Sequence, residues 1–214
     1  MKFPFLASFI LLIIFFNLRS RKVSRKMEEQ EQDFWARESA SNSVRKKSLD
    51  NLEYVHIPYD LLPFGTAGDN GILKQAEDDL TALKDEKIVN LTGISNTDLK
   101  LEYGTANITP LTQYDQNYTA LVCALQSWGQ ELYNQGRYED AASVLEFSVK
   151  TRSDITATYR TLIDLYKTKL GLNESEINKK LEALIPIAKS LNSLSRLTIL
   201  KLIDPELTSE NSEN

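Results

Sequence analysis

The longest apolar run of the chain lies at its N-terminal end. Residues 3–18 read FPFLASFILLIIFFNL, in which twelve of sixteen positions are Phe, Leu or Ile and none is charged. Each such side chain favours insertion into a bilayer by about 0.3–0.6 kcal/mol, and sixteen helical residues extend over about 24 Å of a hydrocarbon core about 30 Å thick. Because Lys2 and Arg19 at its ends can reach the polar headgroups, the pattern predicts a transmembrane anchor over residues 1–18.

The charges around this run decide between an anchor and a cleaved secretory signal. A signal peptide carries positive charge before its apolar run and a small-residue cleavage site after it. Here no A-x-A sequence follows the run, but five basic residues do: Arg19, Arg21, Lys22, Arg25 and Lys26. We therefore favour the anchor. The positive-inside rule then predicts a single-pass protein of the cell membrane whose remaining chain lies in the cytoplasm.

A basic flank and a helical stalk are predicted over residues 19–47. The stretch MEEQEQDFWARESASNSVRKK contains good helix formers and neither Pro nor Gly. Its acids come first and its bases last, which matches the direction of the helix dipole. No residue between Leu18 and Met27 breaks a helix, so the anchor and the stalk can form one continuous helix.

Residues 48–113 are predicted to be extended and rich in loops, with a single helix. Pro58 and Pro63 favour extended backbone before them, and their apolar surroundings indicate that this stretch packs on a helical body. Apolar residues at three- and four-residue spacing predict a helix over 72–87. The remainder, 87–113, is polar and irregular. Its short apolar pieces are expected to be brief strands or extended loop: Ile88-Val89 and Leu99, Leu101 and Tyr103.

Helical spacing over residues 114–207 predicts two helix pairs and a final helix. The first pair carries its apolar positions on both sides of Gly136: Tyr118, Leu121, Val122, Leu125, Trp128 and Leu132, then Tyr138, Ala141, Ala142, Leu145 and Val149. The second pair does so around Gly171, with Tyr159, Leu162 and Tyr166, then Ile177, Leu181, Leu184, Ile185 and Ala188. Pro186 is expected to kink or end its helix. The final helix carries Leu194, Leu197, Leu200 and Ile203, and a disordered tail is expected over 208–214.

The stretch LQSWGQELYNQGRYEDAASVLEFSV resembles the tetratricopeptide repeat, a helix–turn–helix unit of 34 residues. Seven residues carry the resemblance: Leu125, Gly129, Leu132, Gly136, Tyr138, Ala141 and Leu145. Gly129 and Ala141 are expected to let two antiparallel helices approach closely, with Tyr138 filling space near the turn. The resemblance implies a mainly α-helical stack of antiparallel pairs. With the anchor, the architecture is similar to that of membrane-anchored repeat proteins of Gram-positive bacteria.

In the tetratricopeptide family, the first helix of each pair lines a groove that holds peptides. The resemblance therefore implies seven groove candidates: Gln126, Gln130, Tyr133, Asn134, Arg160, Asp164 and Lys167. Their polar groups suit an extended peptide, and Arg160 with Lys167 can meet an acidic side chain or terminus. The alternative for these side chains is solvation without a partner.

Charge divides the chain into two parts. Residues 1–26 hold six basic residues and no acid, which gives +6, and the remaining 188 hold 19 Lys and Arg against 30 Asp and Glu, which gives −11. So acidic a body argues against nucleic acid as a partner. One Cys and one His exclude a zinc site built from these residue types alone, and the sequence predicts no metal and no cofactor.

No catalytic site is predicted, because the chain lacks the common nucleotide-binding, hydrolase and metalloprotease motifs. Cys123 stands among apolar neighbours and is expected to be a buried small hydrophobe, while His56, the only histidine, has no ligand nearby in the sequence. The sequence thus predicts a membrane-anchored helical scaffold or adaptor that binds a protein or peptide at the cytoplasmic membrane face. The alternative is an extracytoplasmic ligand-binding protein or an enzyme whose site no motif reveals.

Overall fold

The computed structural model describes residues 4–205, with side chains at Phe9 and from Leu12 onward. The described chain is mainly helical, as predicted. Its α-helices are α1 (Pro4–Asn42), α2 (Gly71–Ala82), α3 (Asn96–Tyr103), α4 (Ile108–Asn134), α5 (Tyr138–Lys150), α6 (Thr156–Asp164), α7 (Glu174–Ser190) and α8 (Arg196–Ile203). A 3₁₀ turn, Thr105–Asn107, precedes α4, and a π-helical turn, Leu165–Lys169, follows α6.

The described residues form two compact units. The first holds the chain up to Ser48 together with Ser95–Ile108, and the second holds Leu49–Ile94 together with the chain from Thr109 onward. The predicted region 48–113 is therefore shared between the two units.

In the first unit, α1 is a single helix of 39 residues, so the basic flank and most of the stalk belong to one element. It ends at Asn42, before the predicted end of the stalk at Lys47. Among the described residues, no helix combines the length and the apolar character needed to cross a membrane. Most side chains of the anchor predicted over 1–18 lie outside the described residues.

The prediction of strands or loop over 87–113 is wrong for the middle of that stretch, which forms α3. Ser95 caps the helix, since its hydroxyl accepts a hydrogen bond from the Asp98 backbone N–H (3.2 Å). Ion pairs and hydrogen bonds then hold α3 on α1: Lys100 to Glu38, Thr97 Oγ1 to Glu38 Oε2 (2.7 Å) and Arg37 Nη2 to Asp98 Oδ1 (2.7 Å). A helix of eight residues is marginal by itself, so α3 depends on these contacts with α1.

In the second unit, the segment 49–64 packs on the helices, as predicted. Leu62 is buried, and Phe64 places its ring 4.8 Å from that of Trp128 in the core. The helix predicted over 72–87 exists but is shorter. As α2, it begins at Gly71 after an Asn70 cap and ends at Ala82.

The helix pair α4–α5 has the close approach predicted from Gly129. A β-carbon added to this glycine would lie 2.4 Å from Leu145 Cδ2, which is far inside van der Waals contact. Gly136 ends α4 with φ of 75° and the two backbone hydrogen bonds of a Schellman motif. The ring of Tyr138 lies 5.7 Å from that of Tyr133 at this turn. Unlike the prediction, α4 already begins at Ile108.

The last helices depart from the sequence pattern in two places. Pro186 does not end α7, which continues to Ser190. Leu194 and Leu197, both predicted on the buried stripe of the final helix, are exposed: Leu194 precedes α8, which begins only at Arg196, and Leu197 lies in its first turn. The disordered tail expected over 208–214 lies outside the described residues.

Candidate interaction surface

Four of the seven groove candidates join α4 to α6. They do so through three hydrogen bonds: Thr158 Oγ1 to Gln126 Oε1 (2.5 Å), Thr161 Oγ1 to Gln130 Oε1 (3.0 Å) and Tyr133 Oη to Asp164 Oδ2 (2.5 Å). These side chains are partly buried. The helix contact therefore positions them and uses part of the hydrogen-bonding capacity that a ligand would need.

The remaining three candidates are exposed. Asn134 accepts a hydrogen bond from Gln130 Nε2 (3.1 Å). Arg160 and Lys167 make no hydrogen bond and no ion pair with any described residue. Asp164 lies between these two cations in sequence, but its carboxylate already accepts hydrogen bonds from Tyr133 and from Thr168 Oγ1 (3.1 Å). The surface therefore presents two unpaired positive charges, one on α6 and one on its π-helical turn.

A third cation lies beside them on an aromatic pair. Lys169 Nζ is 5.9 Å from the ring centre of Tyr133 and 5.7 Å from that of Tyr138, which is within the range of cation–π attraction. The hydrogen bond to the Asp164 carboxylate raises the pKa of the Tyr133 hydroxyl, because that bond is lost when the phenol ionises. In a body with a net charge of −11, this part of the surface is locally basic.

A groove of about 760 Å³ lies between α2 and α4. Its walls are mostly small or apolar side chains: Gly71, Ile72, Gln75, Ala76, Asp79, Ala82 and Leu83 on or next to α2, and Ala120, Cys123, Ala124 and Ser127 on α4. Cys123 is exposed in this groove, so the expectation of a buried cysteine is wrong. The physical reason is its position on α4, one residue away from the buried stripe that contains Val122 and Leu125.

The groove and the row of candidates occupy adjoining sides of α4 and meet near Cys123, Gln130 and Asn134. At 100° per residue, Cys123, Gln130 and Asn134 lie within about 40° of one another around the helix axis. Cys123 belongs to the groove wall, and Gln130 belongs to the contact with α6. We call this surface, from the α2–α4 groove to Arg160 and Lys167, the α4 face.

The apolar stripe of α4 does not predict the groove, because the residues of that stripe become buried. One signal was present: Ala120, Ala124 and Ser127 recur at three- and four-residue spacing beside that stripe. Small side chains at this spacing leave room along a helix and so favour a groove there.

A smaller cavity, of about 340 Å³, contains the only histidine. It is lined by Glu53, Tyr54, Val55, His56, Pro58, Leu61, Asn90, Phe147, Lys150, Thr151 and Arg152. Arg152 Nη1 lies 3.2 Å from Glu53 Oε2, and its φ of 64° is the only positive value at a non-glycine residue in the described chain. Because His56 and Cys123 line different cavities, they do not form a catalytic pair.

The carboxylates near these surfaces serve local structure. Glu77 accepts hydrogen bonds from the backbone N–H groups of Gly65 (3.0 Å) and Thr66 (3.3 Å), and Asp140 binds Arg137 Nε (2.8 Å). In the part of the chain that the structure describes, no group of three or more His, Cys, Asp or Glu side chains is placed to hold a metal ion. No family model, no curated protein and no solved structure matches the chain.

Proposed function

We propose that the protein is a membrane-anchored helical-repeat scaffold that binds a polypeptide partner along the α4 face. One arrangement carries the proposal: α4 has an open, largely apolar groove on one side and contacts α6 on the adjoining side, and α6 with its π-helical turn presents two unpaired cations, Arg160 and Lys167. Grooves of this kind hold apolar side chains of a peptide, and adjacent charges fix its direction and register.

The positions of the two cations define the chemistry of the partner. Arg160 and Lys167 are seven residues apart, which places their backbones roughly 10 Å apart along a helix. An extended peptide in the polyproline II conformation rises about 3.1 Å per residue and returns to the same face every three residues, so acidic side chains three positions apart match this distance. Charge-assisted hydrogen bonds to such carboxylates are roughly twice as strong as neutral ones. The partner segment is therefore extended and acidic, with apolar residues that enter the α2–α4 groove.

The repeat assignment is part of the proposal. In it, α4–α5 and α6–α7 are two tetratricopeptide-like pairs, and α4 and α6 are their first helices. The contact between Gly129 and Leu145 and the turn at Gly136 support the first pair. The hydrogen bonds between α4 and α6 support the placement of the two first helices side by side.

The anchor assignment depends on the N-terminal part of α1. Five consecutive apolar residues, Leu12 to Phe16, cover the whole circumference of the helix, and each is between 43% and 61% exposed. A helix that is apolar on all sides is usually surrounded by lipid or by protein. The basic residues of 19–26 follow directly, which supports a cytoplasmic position for the rest of the chain.

The single cysteine provides a site-specific test of partner binding. Benzophenone maleimide attached to Cys123 of the full-length protein is expected to crosslink a partner in extracts of cells that produce the protein. Arg160→Glu plus Lys167→Glu should lower the yield about tenfold, the equivalent of about 1.4 kcal/mol. The matched control, Lys179→Glu plus Lys189→Glu, makes the same charge change at exposed positions of α7 and should leave the yield unchanged.

The position of the label needs its own control. A Cys123→Ser plus Ser175→Cys protein carries the label at an exposed position of α7 instead. It should not capture the same partner. Equal capture from Ser175→Cys, or capture that survives the charge reversal on α6, would contradict binding at the α4 face.

The anchor is tested separately, by extraction of membranes with alkaline carbonate. Ile13→Lys plus Phe16→Lys should release the protein, whereas Val23→Lys plus Met27→Lys, also at exposed apolar positions of α1, should not. A reporter fused to the C-terminal end should be active on the cytoplasmic side. An outward-facing reporter would favour the alternative, an extracytoplasmic ligand-binding protein or enzyme.

A further inference from the structure

The smaller cavity, of about 340 Å³, is built around a strained arginine. Arg152 follows α5 in the left-handed region, with φ of 64°. Its N–H donates to Val149 O (2.8 Å), and the Ser153 N–H donates to Ser148 O (3.2 Å), which together form a Schellman motif. Glycine is the usual residue at this position, and Gly136 occupies it at the end of α4. The fold therefore keeps an arginine where glycine would be free of strain.

Several side chains hold this strained turn in place. Asn90 Nδ2 donates to the carbonyl oxygens of Thr151 and Arg152, at 3.3 Å each. The buried Tyr118 hydroxyl donates to the Thr151 oxygen as well (3.1 Å). Non-glycine residues in this conformation persist where their surroundings over-determine them, and they occur preferentially at functional sites.

We propose that this cavity binds a small amphipathic carboxylate through Lys150 and Arg152. Both cations line it, and the one carboxylate in its wall, Glu53, is already paired with Arg152. The charged lining therefore has an excess of one positive charge, in a body whose net charge is −11. That local excess selects an anion.

The apolar side chains of the cavity determine the part of the ligand that is not the carboxylate. Val55, Pro58, Leu61 and Phe147 line the cavity together with the two cations, and Leu61 is 78% exposed. A volume of about 340 Å³ is at the lower end of the range for small-molecule sites. The ligand is thus a molecule with one ring or a short chain. No lining residue belongs to the α4 face, so this site does not depend on the proposed partner binding.

The only histidine of the chain makes this cavity directly observable. His56 lines it, and the imidazole C2–H proton of a single histidine gives one NMR signal that needs no assignment by mutation. Phenylacetate is the probe and 2-phenylethanol its neutral counterpart, both added to the full-length protein at constant ionic strength. Phenylacetate should move the His56 signal saturably, and 2-phenylethanol should bind at least about tenfold more weakly.

Three variants separate ligand binding from a purely structural role. Lys150→Gln plus Arg152→Gly should weaken phenylacetate binding about tenfold or more, while the glycine relieves the strain and raises Tm by about 2–4 °C. Glu53→Gln removes the competing carboxylate and should tighten binding by about two- to fivefold. Lys74→Gln, on an exposed position of α2, is the matched control and should change neither quantity.

Ligand affinity and Tm together distinguish loss of the binding site from loss of the fold. Weaker binding together with an unchanged or higher Tm supports the site, since a misfolded variant would melt at a lower temperature. A His56 signal that does not respond to phenylacetate overturns it. So does equal binding of the neutral counterpart, or unchanged binding after loss of both cations.

Discussion

The packing of Gly129 against Leu145 gives the sharpest test of the fold. A β-carbon at position 129 would lie 2.4 Å from Leu145 Cδ2 and 2.6 Å from Leu145 Cγ. Leu145 is fully buried, so its side chain cannot move without displacing its neighbours in the core. We therefore predict that Gly129→Ala destabilises the second unit, although alanine is the better helix former.

Two opposing effects set the magnitude. Insertion of a methyl group into a well-packed core costs about 1–3 kcal/mol, and so close an approach places this case in the upper half of that range. Replacement of glycine by alanine within a helix gains about 0.5–1 kcal/mol. The expected net loss for Gly129→Ala is therefore about 1–2.5 kcal/mol.

A double variant, Gly129→Ala plus Leu145→Ala, isolates the contribution of the contact between these two residues. Alone, Leu145→Ala should cost about 2–5 kcal/mol because it leaves a cavity. In the double variant the methyl group of residue 129 occupies part of that cavity, and the gain in helix propensity is recovered. The double-mutant cycle should then show a compensating interaction of about 2 kcal/mol, well outside the additivity of about 0.5 kcal/mol expected for independent sites.

The two tryptophans allow the second unit to be followed by itself. Trp128 is fully buried in α4, and Trp35 is 60% exposed in α1. Urea unfolding monitored by fluorescence in a Trp35→Phe background therefore reports the neighbourhood of Gly129. If the slope of the unfolding free energy against urea concentration (the m value) is the same in all variants, the shifts of the unfolding midpoint give the differences in stability.

Gly71→Ala is the matched control, because a β-carbon there would have no neighbour within 4 Å. It should be neutral or stabilising by up to about 1 kcal/mol. If Gly129→Ala were as stable as the parent, or if the cycle with Leu145→Ala were additive, the close approach of α4 and α5 would be refuted.

Three further predictions concern a helix cap, a hydrogen bond between two helical elements, and the carboxylate that joins α3 to α1. Asn70→Ala should cost about 1 kcal/mol in the same urea assay, because its side chain caps two backbone N–H groups of α2; an unchanged midpoint would contradict the cap. Tyr166→Phe should cost about 1 kcal/mol through loss of the hydrogen bond to Glu146 (2.8 Å), and equal stability would mean that this bond contributes nothing. The hydrogen bonds from Lys100 and Thr97 lower the pKa of Glu38 below its ordinary value of 4.5. A lowered folded-state pKa gives stability that is present above the unfolded pKa and is lost as pH falls through the folded one. Hydrogen-exchange protection of α3 should therefore fall at pH values below about 4, and the same fall in Glu38→Gln would contradict this cause.

The interior of the second unit could be predicted from the sequence because helical periodicity decides it. Leu125, Trp128 and Leu132 fall on one stripe, and all three are fully buried. A stripe of this kind must face a core, and a glycine within it indicates that a second helix comes close. The sequence position of Gly129 therefore predicts the close contact between α4 and α5.

Features that depend on contacts distant in sequence could not be predicted in this way. The helix α3 is stabilised by α1, and the only local signal for it was Ser95 followed three residues later by Asp98, a capping pattern. The φ of Arg152 follows from Asn90, Tyr118 and the end of α5, none of which marks an arginine as left-handed. The seven groove candidates stay a prediction as a binding site, and the hydrogen bonds that join α4 to α6 through four of them needed the register of the two helices.

Net charge and local charge lead to opposite conclusions about partners, and the local charge is the relevant one for binding. A body of −11 repels acidic segments at long range, whereas Arg160, Lys167 and Lys169 concentrate positive charge on one surface while the Asp164 carboxylate is engaged by Tyr133. Screening limits the repulsion to about 8 Å at physiological ionic strength, but contacts within the α4 face are shorter than this. The proposed acidic segment is therefore expected to be repelled by most of the surface and attracted at the α4 face. The overall acidity of the body thus adds to the specificity of the proposed site.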